Sequence, residues 1–135
     1  MIFSASATHA LRAVASLAAN EGDGAMPGRD LARKVRVPGD YLAKVLAKLA
    51  RAGVVTASRG VNGGYRLARR ADRIPLIDVV LPFEGQRAKR GCLLHPSRPC
   101  RDSGACSAHA AWSGVKDSYF EFLEQTTVED IKGGG

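Results

Sequence analysis

At 135 residues with a 45% hydrophobic fraction, the chain has the material for one compact domain with an ordinary core. No apolar run approaches the ~20 residues of a membrane span, and the start MIFSASATHALRAV lacks the basic head and apolar stretch of a secretory leader, so a cytoplasmic protein is expected. The net charge of +7 is unevenly spread: residues 28–73 hold twelve Lys/Arg against three Asp/Glu, whereas residues 107–135 hold two against five, the pattern of a polyanion-binding head with a separate acidic element.

The first helix is expected from about Ser6 to Asn20, where Ala7, Leu11, Val14 and Ala18 recur at helical spacing. Gly22 and Gly24 then break the pattern. A second helix is predicted over Gly28–Val35, starting after Pro27. Beyond the turn Arg36-Val37-Pro38-Gly39, residues Leu42, Val45, Leu46 and Leu49 fall at i, i+3, i+4 and i+7, and Gly53 closes this third helix. Two short helices joined by a tight turn, the second strongly amphipathic, make a helix-turn-helix.

Residues 54–58 (VVTAS) read as a strand, Val61-Asn62-Gly63-Gly64 as a turn, and Tyr65-Arg66-Leu67 as the returning strand. A hairpin placed there makes the head a winged helix. The next helix is predicted from Leu76 to Leu81, ending at Pro82, and a long one from Ser107 to Gln125 with Trp112, Val115, Tyr119, Phe122 and Leu123 along one side. Thr127 and Asp130 suit a capping box for a last short turn. The expected fold is thus mainly α with a small β-hairpin wing. Its segments are a DNA-binding head (1–82), a cysteine-bearing loop (83–106), and a C-terminal helix with a short tail (107–135).

On the third helix, Lys44, Lys48 and Arg51 are spaced i, i+4, i+7 and form a basic face, with the small Ala43 and Ala47 beside it. A helix of this kind fits a major groove about 12 Å wide, its lysines contacting phosphates that fix register but carry no sequence information. Residues at its N-terminal end, Gly39 and Tyr41 among them, are expected at base edges or phosphates. Arg59, Asn62 and Gly63 at the hairpin tip suit a minor groove. The expected partner is double-stranded DNA.

All three cysteines lie in the stretch CLLHPSRPCRDSGACSAH, with seven residues between Cys92 and Cys100, five between Cys100 and Cys106, and two between Cys106 and His109. A cytosolic thiol stays reduced, which leaves buried thiols, metal ligands or redox-reactive thiols. No tight C-x(2–4)-C pair of the kind common in structural zinc sites is present. The wide spacing instead suits a loop wrapped around an iron–sulfur cluster, with Cys92, Cys100, Cys106 and His109 as its ligands. His95, followed directly by Pro96, is the weaker candidate ligand. A structural zinc loop, or a redox-sensing thiol loop without a cluster, is the alternative. With no C-x-x-C motif and no catalytic constellation, no enzyme is read here.

The sequence resembles the Rrf2 family of bacterial regulators, the group that contains IscR- and NsrR-type proteins. The resemblance spans essentially the whole length. It is carried by MIFSASATHALRAV, VPGDYLAKVLAKLARAGVV, SRGVNGGYRLAR, IPLIDVV, the three loop cysteines, HAAW and the near-terminal TTVEDI. It implies a homodimeric winged-helix transcription regulator that dimerises through the long C-terminal helix and reads a pseudo-palindromic site; a repressor or dual regulator is expected here. It also implies a cluster whose state changes DNA affinity. IscR-type members place a histidine ligand at the position of His109. NsrR-type members use an aspartate at the position of Thr8. The resemblance therefore favours a histidine-ligated 2Fe–2S form over 4Fe–4S.

Overall fold

The computed structural model describes residues 3–85, 94 and 107–133. The first helix, α1 (Ala5–Ala19), starts where the Ser4 hydroxyl accepts the Ala7 N–H at 3.1 Å. Its inward residues Ala7, Ala10, Ala13, Val14, Leu17 and Ala18 are all buried. Four of the six are alanines, and so small a stripe lets neighbouring helices approach closely. The remaining helices pack around it.

Helix α2 (Gly28–Val35) follows Pro27 as expected and buries Leu31, Ala32 and Val35. It ends in a left-handed residue, Arg36 at φ 64°, whose N–H donates to the Ala32 carbonyl at 2.8 Å. That conformation favours glycine, because a Cβ there crowds the following carbonyl. Arg36→Gly is therefore expected to raise stability by about 1 kcal/mol. A urea titration checks this, and an unchanged midpoint would show the strain is already relieved. The chain turns at Val37-Pro38 and enters α3 (Gly39–Arg51), whose Leu42, Val45, Leu46 and Leu49 are all buried.

The hairpin consists of β1 (Val55–Ser58) and β2 (Gly64–Leu67), antiparallel, with Val55 opposite Leu67 and Ser58 opposite Gly64. A third backbone segment joins it. Met26, just before α2, exchanges both hydrogen bonds with Tyr65, at 2.9 and 2.8 Å. Gly64 makes this possible: at φ 148°, a Cβ there would stand 2.3 Å from the Met26 carbonyl oxygen. Gly63 is equally constrained, since its Cβ would fall 2.5 Å from the Ser58 oxygen. The wing is therefore bonded to the segment leading into the helix-turn-helix.

After a 3₁₀ turn at Ala71–Arg73, α4 runs over Leu76–Glu84. This corrects the expected stop at Pro82, which lies inside the helix, so the expected head boundary at residue 82 cuts through it. One proline late in a helix removes a single N–H, and the Gly85 N–H closes the last turn on the Leu81 carbonyl at 2.8 Å. The long helix α5 spans His109–Gln125. The capping box at Thr127 and Asp130 is present and opens a 3₁₀ turn, Val128–Ile131.

This last segment returns to the head. Leu76 N–H donates to the Thr126 carbonyl at 2.8 Å, and Val128 N–H donates to that of Ile74 at 2.9 Å. Phe120, Leu123 and Val128 share one core with α1, α2, α3 and α4. Among the described residues no helix is long and apolar enough to cross a membrane.

Candidate nucleic-acid interface

Helix α3 exposes one side only. With Leu42, Val45, Leu46 and Leu49 turned inward, Lys44 and Arg51 stand on the opposite side, both exposed, and Asp40 and Ala47 share it. Lys48 lies to one flank, exposed but with its ammonium 5.2 Å from the centroid of the Phe83 ring on α4. Phe83 thus holds that charge near the helix through a cation–π contact. Gly39, the first residue of α3, is exposed.

Tyr41 stands apart from Lys44 and Arg51 on α3. It is half-buried, and its hydroxyl lies 2.9 Å from His9 Nδ1 and donates to Ser6 Oγ at 3.2 Å. The helical repeat gives the reason: Tyr41 sits on the same flank as Lys48, seven residues on, and at the start of α3 that flank meets α1. Ser6 and His9 were not expected to matter. Their partner lies 35 and 32 residues away, so no local sequence pattern marks them.

The wing tip carries Arg59, Gly60, Val61 and Asn62, all exposed. Gly63 has a structural reason of its own, the crowding around its missing Cβ. Val61 is fully exposed, an apolar side chain at the tip of the wing.

Several of the basic residues are already paired. Asp30 lies 3.9 Å from Arg33 and 4.0 Å from Arg29, Asp72 binds Arg70 at 2.8 Å, and Asp78 binds Arg69 at 3.1 Å. These exposed pairs add little stability. They do shape the field, because among the described residues no acid pairs with Lys44, Arg51 or Arg59. Lys44 and Arg51 outweigh the single Asp40 on the outward side of α3, and Arg59 adds positive charge at the wing tip, the two places a duplex would meet.

His109 is the first residue of α5 and is half-buried. Cys92, Cys100, Cys106 and His95 lie outside the described residues. On the head, the Glu84 carboxylate accepts the Ser4 N–H at 2.7 Å. Burial first, and then the Glu84 charge, push the Tyr119 hydroxyl above its ordinary pKa. The Tyr119 ring packs on Phe3 and Phe120, with centroids 5.6 and 5.0 Å away.

The sequence profile of the Rrf2 family, described as "Iron-dependent Transcriptional regulator", matches residues 3–133. The chain belongs to the Rrf2 family. An Rrf2-type relative, the "HTH-type transcriptional repressor NsrR" of Streptomyces coelicolor, is 32% identical over 123 residues, covering 90% of this chain and 82% of its own. Among solved structures, IscR of T. potens superposes with a TM-score of 0.78 at 26% identity, covering 97% of this chain and 85% of its own. CymR of B. subtilis, titled a global cysteine regulator, gives a TM-score of 0.83 at 24% identity over 100% and 98% of the two chains, a likeness of fold. The fold is the winged helix expected from the sequence, and membership of the Rrf2 family makes the protein a transcription regulator and not an enzyme.

Proposed function

We propose that this protein is a homodimeric repressor whose affinity for a pseudo-palindromic operator is set by a 2Fe–2S cluster held by Cys92, Cys100, Cys106 and His109. The observation that carries the reading is the place of the donor set. In the sequence, three thiols and a histidine fall between the DNA-binding head and α5, with His109 opening that helix. Three soft thiolates and an imidazole match a cluster's ligand preference. The family's iron-dependent description and the NsrR and IscR relatives support the same reading. When bound, such a cluster supplies a centre that reacts with oxidants and nitric oxide or is lost with iron.

DNA contact is assigned to Lys44, Lys48 and Arg51 on α3, with Gly39 at its start, and to Arg59, Asn62 and Gly63 at the wing. Support comes from the excess of positive charge at those two places. Dimerisation is assigned to α5, where Ala111, Val115, Ser118 and Phe122 are all exposed at 4-3-4 spacing, the repeat of a two-helix seam. Two heads joined this way would read half-sites about 34 Å apart, or a multiple of that.

Anaerobic purification tests the reading. The expected sample is coloured, carries about two irons per chain, gives an EPR signal on one-electron reduction, and binds DNA differently before and after iron removal. A colourless protein holding only zinc would replace it with the structural-zinc alternative. Lys48→Ala is further expected to weaken binding alike on all sequences and to make the log–log salt slope shallower by about 0.9. An unchanged slope would leave Lys48 to its contact with Phe83.

A further inference from the structure

We infer that His9 and Ser6 are positioning residues for the DNA-reading helix: they hold Tyr41, and through it the first turn of α3, at the angle that presents the outward side of α3 to a groove. This rests on the reading of α3 as the groove-entering helix.

The first turn of α3 is weak by itself. It opens with Gly39, about 1 kcal/mol poorer than alanine in a helix. Pro38 before it supplies no side-chain cap, so the first N–H groups have no local side-chain acceptor. What fixes the turn comes from elsewhere in the fold. Tyr41 is its third residue, and the Tyr41 hydroxyl reaches two residues of α1 at 2.9 and 3.2 Å. Its ring also meets the His9 imidazole edge-on, with centroids 5.3 Å apart and planes at 86°. With the phenol hydrogen donated to Ser6 Oγ, the phenol oxygen is left to accept from His9 Nδ1–H. Both contacts are then satisfied by a single hydroxyl in one orientation.

The anchor is itself fixed. Ser6 and His9 stand one turn apart on α1, whose start is capped by the Ser4 hydroxyl and tied by the Ser4 N–H to Glu84 on α4. Tyr41 therefore acts on DNA through the angle of α3, and its hydroxyl is already committed within the protein. Losing the tie would let the first turn of α3 fray. The groove-competent form would become a smaller share of the population, and apparent affinity would fall by that share.

The experiment uses the full chain and two duplexes. One is enriched by the wild-type protein from a random-sequence library, and the other is a scramble of equal length and composition. Tyr41→Phe and His9→Ala are each expected to weaken binding to the enriched duplex on the order of fivefold, while binding to the scramble changes by less than about twofold. The double variant should lose less than the sum of the two single losses, because the Tyr41–His9 hydrogen bond is common to both. His9→Asn, whose amide N–H can take the place of Nδ1–H, should recover most of the loss. Without DNA, amide exchange at residues 40–42 should quicken in Tyr41→Phe, a variant that keeps the ring and its packing.

Equal losses on both duplexes, additive losses in the double variant, no rescue by asparagine, or unchanged exchange would each overturn the positioning role. Wild-type protein that enriches no duplex would overturn the DNA reading itself. Wild-type protein that enriches one, with variants that match it, would overturn this inference alone.

Discussion

A Gly64→Ala chain is expected to lose about 3 kcal/mol of stability or more. The added Cβ would stand 2.3 Å from the Met26 oxygen, 2.5 Å from the Met26 carbonyl carbon and 2.8 Å from the Pro27 nitrogen. All three are backbone atoms, so no flexible side chain can swing aside. Relief requires parting Met26 from Tyr65, which breaks two good hydrogen bonds and frees the wing from the segment leading into α2. Gly60→Ala is the matched control. Gly60 also has positive φ, at 104°, yet a Cβ there meets nothing within 4 Å. It should cost only about 1–2 kcal/mol, the conformational term alone. Urea titrations of the two variants separate crowding from backbone strain, and equal losses would refute the account given for Gly64.

The second large effect separates the two sides of α5. Leu123 is fully buried against the head, whereas Phe122, its neighbour in sequence, is 50% exposed. Leu123→Ala should cost about 2–5 kcal/mol, the transfer of the side chain plus the cavity it leaves. Phe122→Ala should change the stability of a single chain by less than about 0.5 kcal/mol. If α5 pairs two copies, Phe122→Ala should instead weaken self-association at least about tenfold, as truncating a buried aromatic anchor does. Sedimentation equilibrium over a range of concentrations reads this directly. A Phe122→Ala protein as strongly associated as wild type would remove that side of α5 from the interface.

The elements legible in the sequence were those with a strong local period. Leu42, Val45, Leu46 and Leu49 gave α3, and Val54 to Ser58 with the Asn62-Gly63-Gly64 turn gave the wing. Each is decided within about a dozen residues. Thr127 and Asp130 were readable as a cap because both partners lie within one turn. What was not legible depends on residues far apart in the chain. Met26 joins the wing through a single bridge, too short to leave any alternation. Tyr41 was assigned to the DNA side because it opens the recognition helix, yet its partners lie 32 and 35 residues away. Pro82 read as a terminator, since sequence shows the lost N–H but not a last turn able to close beyond it. At the candidate site, the placing of His109 at the start of α5 followed from spacing. The arrangement of Cys92, Cys100 and Cys106 falls outside the described residues.

The seating of α5 has a mechanical consequence. Its buried residues, Phe120 and Leu123, both lie toward its C-terminal end, and just beyond them the chain is bonded to residues 74–76. The helix is therefore clamped most firmly at its C-terminal end. From Leu123 to His109 the arm is about 21 Å long, at 1.5 Å per residue. A tilt of about 5° at the clamp then carries His109 through about 2 Å, more than half the length of a hydrogen bond. The same arm works in reverse. A modest force applied at His109 bears on the contacts around Leu123 with a large torque, so the residue beside the cysteines has the greatest mechanical advantage over how α5 sits on the head.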